Sequence, residues 1–141
     1  MSQSLPRTKD DRYLSTLARL AMTVEPVRKA RLAACLVRRN EIISFGTNQL
    51  KTHPIQAKYS KNPESIYLHA EVDCIKNALR LIDAEMLRSC TLYVCRVKYS
   101  GSSKQNMLYG MAKPCKGCQM AIDAFQIKRV VYSKDDHNIN F

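Results

Sequence analysis

The sequence predicts an α/β protein in which helices cover both faces of a mixed sheet. Three observations carry this. Apolar residues recur at helical spacing over 10–24, 69–82 and 114–125. Two short apolar runs separated by a turn follow the first helix as a hairpin. The chain then closes on a strand–helix–strand segment, which forms a parallel pair joined by a right-handed crossover.

In 10–24 the helical face is Tyr13, Leu14, Leu17, Leu20, Ala21 and Val24, with Asp10 or Asp11 as the cap and Pro26 as the stop. The run Leu32-Ala33-Ala34-Cys35-Leu36-Val37 is apolar on both faces and predicts a central strand of a covered sheet. Arg38-Arg39-Asn40-Glu41 is a turn, and Ile42-Ile43-Ser44-Phe45 returns from it and stops at Gly46. Residues 47–65 show no period and contain His53-Pro54 and Asn62-Pro63, so they read as a loop; an irregular stretch of that length usually serves a site. The helix over 69–82 carries the stripe Val72, Ile75, Leu79 and Ile82. A strand of β-branched and aromatic type spans 91–97. The 98–112 stretch, with Ser100-Gly101-Ser102-Ser103, is an excursion or a small hairpin. The helix over 114–125 places Cys115, Cys118, Ile122 and Phe125 on one side, with Pro114 in its first turn, where a missing N–H costs nothing. The last strand is 128–132, and the polar tail 134–141 is expected to be loose. The expected organisation is one domain over 1–141 with a core of about 10–133.

A chain of 141 residues can bury a core without a disulfide framework. No apolar run approaches the roughly 18 residues of a membrane span. The stretch from Met1 to Asp11 lacks the apolar segment of a signal peptide, and the expected location is the cytoplasm. In a reducing compartment, close cysteines point to a metal or to catalysis. Of the six, only Cys115 and Cys118 are close; Cys35, Cys74, Cys90 and Cys95 sit among apolar residues as core thiols. The net charge of +11 favours an anionic partner: a nucleotide phosphate, nucleic acid or a charged surface. A solvated basic surface with no partner is the alternative reading.

Two motifs carry chemistry: His69-Ala70-Glu71 and Pro114-Cys115-Lys116-Gly117-Cys118. Thiols three apart on a helix share a face and can grip one ion, and a helix N-terminus eases their ionisation. A catalytic zinc site takes three protein ligands and leaves a position for water. The chain has three histidines. His137 is in the tail, His53 is in the loop, and His69 opens a helix, so His69, Cys115 and Cys118 form the candidate Zn2+ set. Glu71 is two residues from His69 and does not share its face; it is the candidate catalytic acid–base beside the metal-activated water. A lone CxxC could also be a redox pair, but that leaves His69 unexplained. The joint pattern matches the signature of zinc nucleobase deaminases.

On these residues, and on the weaker 32–48 block, the sequence resembles the cytidine and deoxycytidylate deaminase superfamily, and within it the short nucleotide-type members that phages often encode. The resemblance runs from about Arg31 to Tyr132. It implies a three-layer α/β/α sandwich around a five-stranded mixed sheet, zinc-dependent hydrolytic deamination of a cytosine nucleotide or nucleoside with release of ammonia, and a homo-oligomer. It implies substrate contacts at Asn48, at the backbone N–H of Ala70, and at Pro114. The 98–112 segment departs from the compact members and could be a lid, an oligomer contact or a substrate-selecting loop. The basic stretch with Lys51, His53, Lys58, Tyr59 and Lys61 is a candidate phosphate site or a solvated loop. The competing readings are deamination of cytosine or adenine within single-stranded DNA or RNA, and a non-catalytic zinc-stabilised binding domain.

Overall fold

The computed structural model describes residues 8–27, 30–59, 67–99, 107–135 and 139. Lys61, His137, the 100–103 stretch and most of the tail lie outside them. The elements run α1 (Lys9–Met22), β1 (Arg31–Arg38), β2 (Glu41–Thr47), α2 (Pro54–Tyr59), α3 (Ala70–Ala78), a 3-10 turn (Ala84–Ser89), β3 (Thr91–Tyr99), β4 (Met107–Gly110), α4 (Lys116–Ala124) and β5 (Arg129–Tyr132).

The five strands form one mixed sheet. β1 lies between β2 and β3, antiparallel to both. The far edge of β3 is shared: β5 runs parallel along residues 91–94, and β4 runs antiparallel along 96–99. The parallel pair β3 and β5 is the predicted strand–helix–strand unit. The continuous apolar run of β1 is explained by helices on both sides. Ala33, Cys35 and Val37 pack with Leu17, Ala18 and Ala21 of α1, whereas Ala34 and Leu36 pack with Cys74, Ile75 and Ala78 of α3 and Ile122 of α4. β3 alternates likewise, Leu92 and Val94 toward α3 and α4, Tyr93, Cys95 and Val97 toward α1. The result is the three-layer α/β/α sandwich. Between β1 and β2, Arg39 and Asn40 both take positive φ, 52° and 66°, the two-residue turn that matches strand twist.

Several boundaries differ from the sequence expectation. Thr8 caps α1, not Asp10 or Asp11: its hydroxyl accepts from the Asp11 N–H at 3.1 Å, and the Asp11 carboxylate accepts from the Thr8 N–H at 3.2 Å. Asp10 instead reaches the sheet and accepts from the Tyr93 hydroxyl at 2.6 Å. The 47–65 stretch is not wholly a loop, because α2 occupies Pro54–Tyr59; so short a helix shows no legible period. α3 ends at Ala78, but Leu79 and Ile82 still pack against its core from the following turn. Pro114 precedes α4 rather than entering its first turn, because Cys115 is the extended N-cap. The 98–112 excursion contains β4, hydrogen-bonded to the end of β3. Asp135 in the tail is tied down: it accepts from the Met111 N–H at 2.8 Å and pairs with Lys98 at 3.3 Å. Among the described residues no helix is long and apolar enough to cross a membrane.

Candidate active site

Both chemical motifs sit at helix entrances that converge on the same side of the sheet. His69 is the N-cap of α3 and Cys115 the N-cap of α4, and neither side chain makes a capping hydrogen bond. They turn toward each other instead. His69 Nδ1 lies 3.2 Å from Cys118 Sγ and 3.6 Å from Cys115 Sγ. The donor atoms of His69, Cys115 and Cys118 all fall within 4.8 Å of one another. Zinc bonds of about 2.3 Å to sulfur and about 2.0–2.1 Å to nitrogen, at tetrahedral angles, separate N from S by roughly 3.5 Å. The donor chemistry and spacing therefore fit zinc.

The surroundings prepare the donors. Hydrogen bonding from the Cys118 thiol, and then from His69, pulls the Cys115 thiol down to about 3. The same contact, with burial, pushes Cys118 up. A coordinating cation deprotonates its thiol ligands outright. Contact with Cys115 raises His69. The core thiols contrast with these: burial pushes Cys35 and Cys95 up to about 12, and they stay inert. All six cysteines are unpaired.

Glu71 lies one position along α3 from Ala70 and is 4% exposed. Its carboxyl is outside the three-donor group but within electrostatic reach of His69, Cys115 and Cys118. Burial raises its pKa above the ordinary carboxylate range. A carboxyl shifted upward holds and releases a proton nearer neutral pH, as acid–base work requires.

Three supports fix the entrance to α3. Gly46 of β2 packs directly on it: a Cβ there would lie 2.3 Å from the Ala70 carbonyl oxygen and 2.3 Å from the Cys74 nitrogen. Only glycine permits that approach. Gln56, 1% exposed on α2, accepts from the His69 N–H at 3.0 Å. Asp73 accepts from the Thr47 N–H and from the Gln49 side chain, each at 3.0 Å, and pairs with Lys76 at 3.0 Å. These contacts hold residues 47–49 against the helix.

A cavity of about 310 Å³ opens over this arrangement, lined by His69, Ala70, Glu71 and Cys115 and, opposite, by Leu32, Asn48, Arg96 and Lys113. The Asn48 side chain straps the start of β1. Its carbonyl accepts from the Leu32 N–H at 2.8 Å, and its amide donates to the Ala30 oxygen at 2.9 Å. Ala70 is the first residue of α3, so its N–H has no intrahelical partner. Pro114 is buried between Lys113 and Cys115, both of which line the cavity. The described residues of the predicted basic stretch do not line this cavity: His53 accepts from the Ile55 N–H at 3.1 Å, and Lys58 lies over the Tyr59 ring. Sequence reasoning missed Gln56, Asp73 and Arg96. Gln56 and Asp73 carry no pattern of their own, whereas Arg96 is a cation flanked by the apolar Cys95 and Val97 of β3 and could have been noticed.

The family model for the cytidine and deoxycytidylate deaminase zinc-binding region matches residues 7–134. The chain belongs to this family, and it is a zinc-dependent hydrolytic deaminase in class. Among solved structures it is similar to guanine deaminase from Bacillus subtilis, with 24% identity and a TM-score of 0.52. That match covers 92% of this chain but 65% of the guanine deaminase, so the chain spans about two thirds of that protein's length. It is also similar to the dCMP deaminase of cyanophage S-TIM5 in complex with dCMP and dUMP, with 17% identity and a TM-score of 0.59, covering 93% of this chain and 85% of that one. The apo form of the same enzyme gives 18% identity and a TM-score of 0.57, with 93% and 88% covered. These likenesses establish the fold. No curated protein sequence matches the chain.

Proposed function

We propose that the chain deaminates the cytosine of a nucleotide or nucleoside, converting a dCMP-like substrate to a dUMP-like product with release of ammonia. The observation that carries this is a buried glutamic acid, raised by its surroundings, beside a His–Cys–Cys donor set at the floor of a cavity. Zinc held by His69, Cys115 and Cys118 would supply a water activated near neutral pH. Glu71 would carry protons from the attacking water to the ring nitrogen and the departing amine. Water replaces the amine on the ring carbon, the C–N bond breaks, and the nitrogen leaves as ammonia. The Ala70 N–H receives the base carbonyl. Asn48 retains a second amide N–H for the sugar or base, and Pro114 would act by placing the cavity-lining Lys113 and Cys115 on either side of it. The catalytic unit is a single domain over about 10–133, and the unpaired thiols suit the cytoplasm.

The test is a panel of nucleosides, nucleotides and oligonucleotides, followed by ammonia release and by exchange of amine for oxygen in the mass. Glu71→Gln should keep its zinc and lose roughly 10²- to 10⁴-fold in turnover. An active Glu71→Gln protein removes the proton-carrier role. The net charge of +11 favours a second reading, a base within single-stranded DNA or RNA. Tight, steeply salt-dependent oligonucleotide binding with turnover there, and none on free nucleotides, selects it.

A further inference from the structure

We infer that Arg96, set in place by Gly110, is a recognition residue for the 5′-monophosphate of a single nucleotide; the inference deepens the deaminase reading and rests on it. Arg96 pairs with Leu32 of β1 and with Gly110 of β4, and the alternation of β3 puts its side chain on the face of the sheet that carries the site. A Cβ on Gly110 would fall 2.9 Å from both Cγ and Cδ of Arg96. The arginine stem therefore lies across the space that glycine leaves open, and Arg96 lines the cavity. Its Nε is buried and has no hydrogen-bond partner among the described residues. The acid that influences it from outside is Asp135, whose Oδ1 is already occupied by the Met111 N–H and Lys98. Around it, the Arg96 N–H donates to the Ser133 hydroxyl at 3.0 Å, and that hydroxyl donates to the Gly110 oxygen at 2.7 Å. The backbone at this point is fixed, whereas the Nε donor has no partner among the described residues.

A buried donor without an acceptor is costly, and a planar guanidinium matches phosphate with two parallel N–H bonds. Lys113 supplies a second cation on the same cavity. A volume of about 310 Å³ is at the low end of ligand pockets and fits one nucleotide rather than several. The pairing of β3 with β4 builds the feature: β4 contributes Gly110, and the segment after it contributes Lys113.

The experiment measures binding by calorimetry on zinc-loaded Glu71→Gln protein, which does not consume its ligand. The probes are the four deoxynucleoside 5′-monophosphates, their nucleosides and a short mixed oligonucleotide. One monophosphate should bind roughly 10- to 100-fold more tightly than its nucleoside, the span of a charged hydrogen bond. Arg96→Gln should abolish that ratio, Arg96→Lys should restore part of it, and Gly110→Ala should reduce it without changing any charge. Equal affinity for nucleotide and nucleoside overturns the inference, as does a ratio that survives Arg96→Gln and Gly110→Ala. An oligonucleotide that binds more tightly than every monophosphate in an Arg96-dependent manner also overturns it. An Arg96-dependent preference for a monophosphate other than dCMP, or without turnover by the unsubstituted enzyme, upholds the anion site and refutes the cytosine deaminase reading.

Discussion

Gly46→Ala tests whether β2 positions the reacting groups. The added Cβ would lie 2.3 Å from the Ala70 oxygen, 2.3 Å from the Cys74 nitrogen and 2.8 Å from the Cys74 Cα. All three are backbone atoms, so no side-chain rotation relieves the clash. Ordinary contact begins at 3.4 Å, and α3 must retreat from β2 by about 1 Å, the gap between 2.3 Å and 3.4 Å. That retreat moves His69 and Glu71 but not Cys115 and Cys118, which belong to α4. Overpacking typically costs about 1–3 kcal/mol. Opposition from backbone places this case near the upper end, so Tm should fall by roughly 10 °C. A displacement of about 1 Å at the chemistry costs on the order of 100-fold in rate. The assay combines thermal melting, zinc content and kcat on the preferred substrate. Phe45→Ala is the control, since its side chain is 42% exposed and should change little. A Gly46→Ala protein that melts within roughly 2 °C of the parent refutes the packing argument. One that is less stable but turns over at the parental rate refutes the link from β2 to the site.

Three further outcomes follow from the same structure. Cys118→Ser replaces a thiolate ligand with a harder oxygen, so the protein should lose zinc to chelators at far lower concentration; EDTA should lower the parent's Tm and leave the variant's nearly unchanged. Gln56→Leu strands the buried His69 N–H, at a cost of about 1–3 kcal/mol and a Tm roughly 3–10 °C lower, and zinc affinity should fall with it. Asp10 is held below the ordinary carboxylate range by hydrogen bonding from Arg129 and then from Tyr93. It therefore stabilises the fold above the unfolded pKa of about 3.9 and loses that effect as the pH falls through the folded value. Because the Arg129 side chain is 53% exposed, Asp10→Asn should cost no more than about 1 kcal/mol at pH 7. The difference from the parent should close in acid, as thermal melts at a series of pH values will show.

The fold was legible where burial imposes a period. The two-faced apolar run of β1 required helices on both sides, and α1 with α3 and α4 provide them. The order β3–α4–β5 required a parallel pair, and β5 lies parallel to β3. What was not legible depends on short elements and on polar contacts. α2 spans six residues, too few for a hydrophobic period, yet it supplies Gln56. The position of Pro114 turned on the φ and ψ of Cys115, which no spacing rule encodes.

The site divides along the same line. Ligand chemistry was readable because zinc demands particular atoms: with one close thiol pair and three histidines, the choices were few. Substrate contacts obey no such stoichiometry. A basic stretch at 51–61 attracted the phosphate reading because its charges are adjacent in sequence, but its described residues do not line the cavity. Arg96 and Lys113 do line it, although 17 positions separate them. They meet because β3 and β4 pair Arg96 with Gly110, and the chain turns from there into the entrance of α4. The proposed anion site rests instead on a cation interrupting an apolar strand opposite a glycine, because placing a buried guanidinium Nε without a partner is disfavoured unless an acceptor completes it.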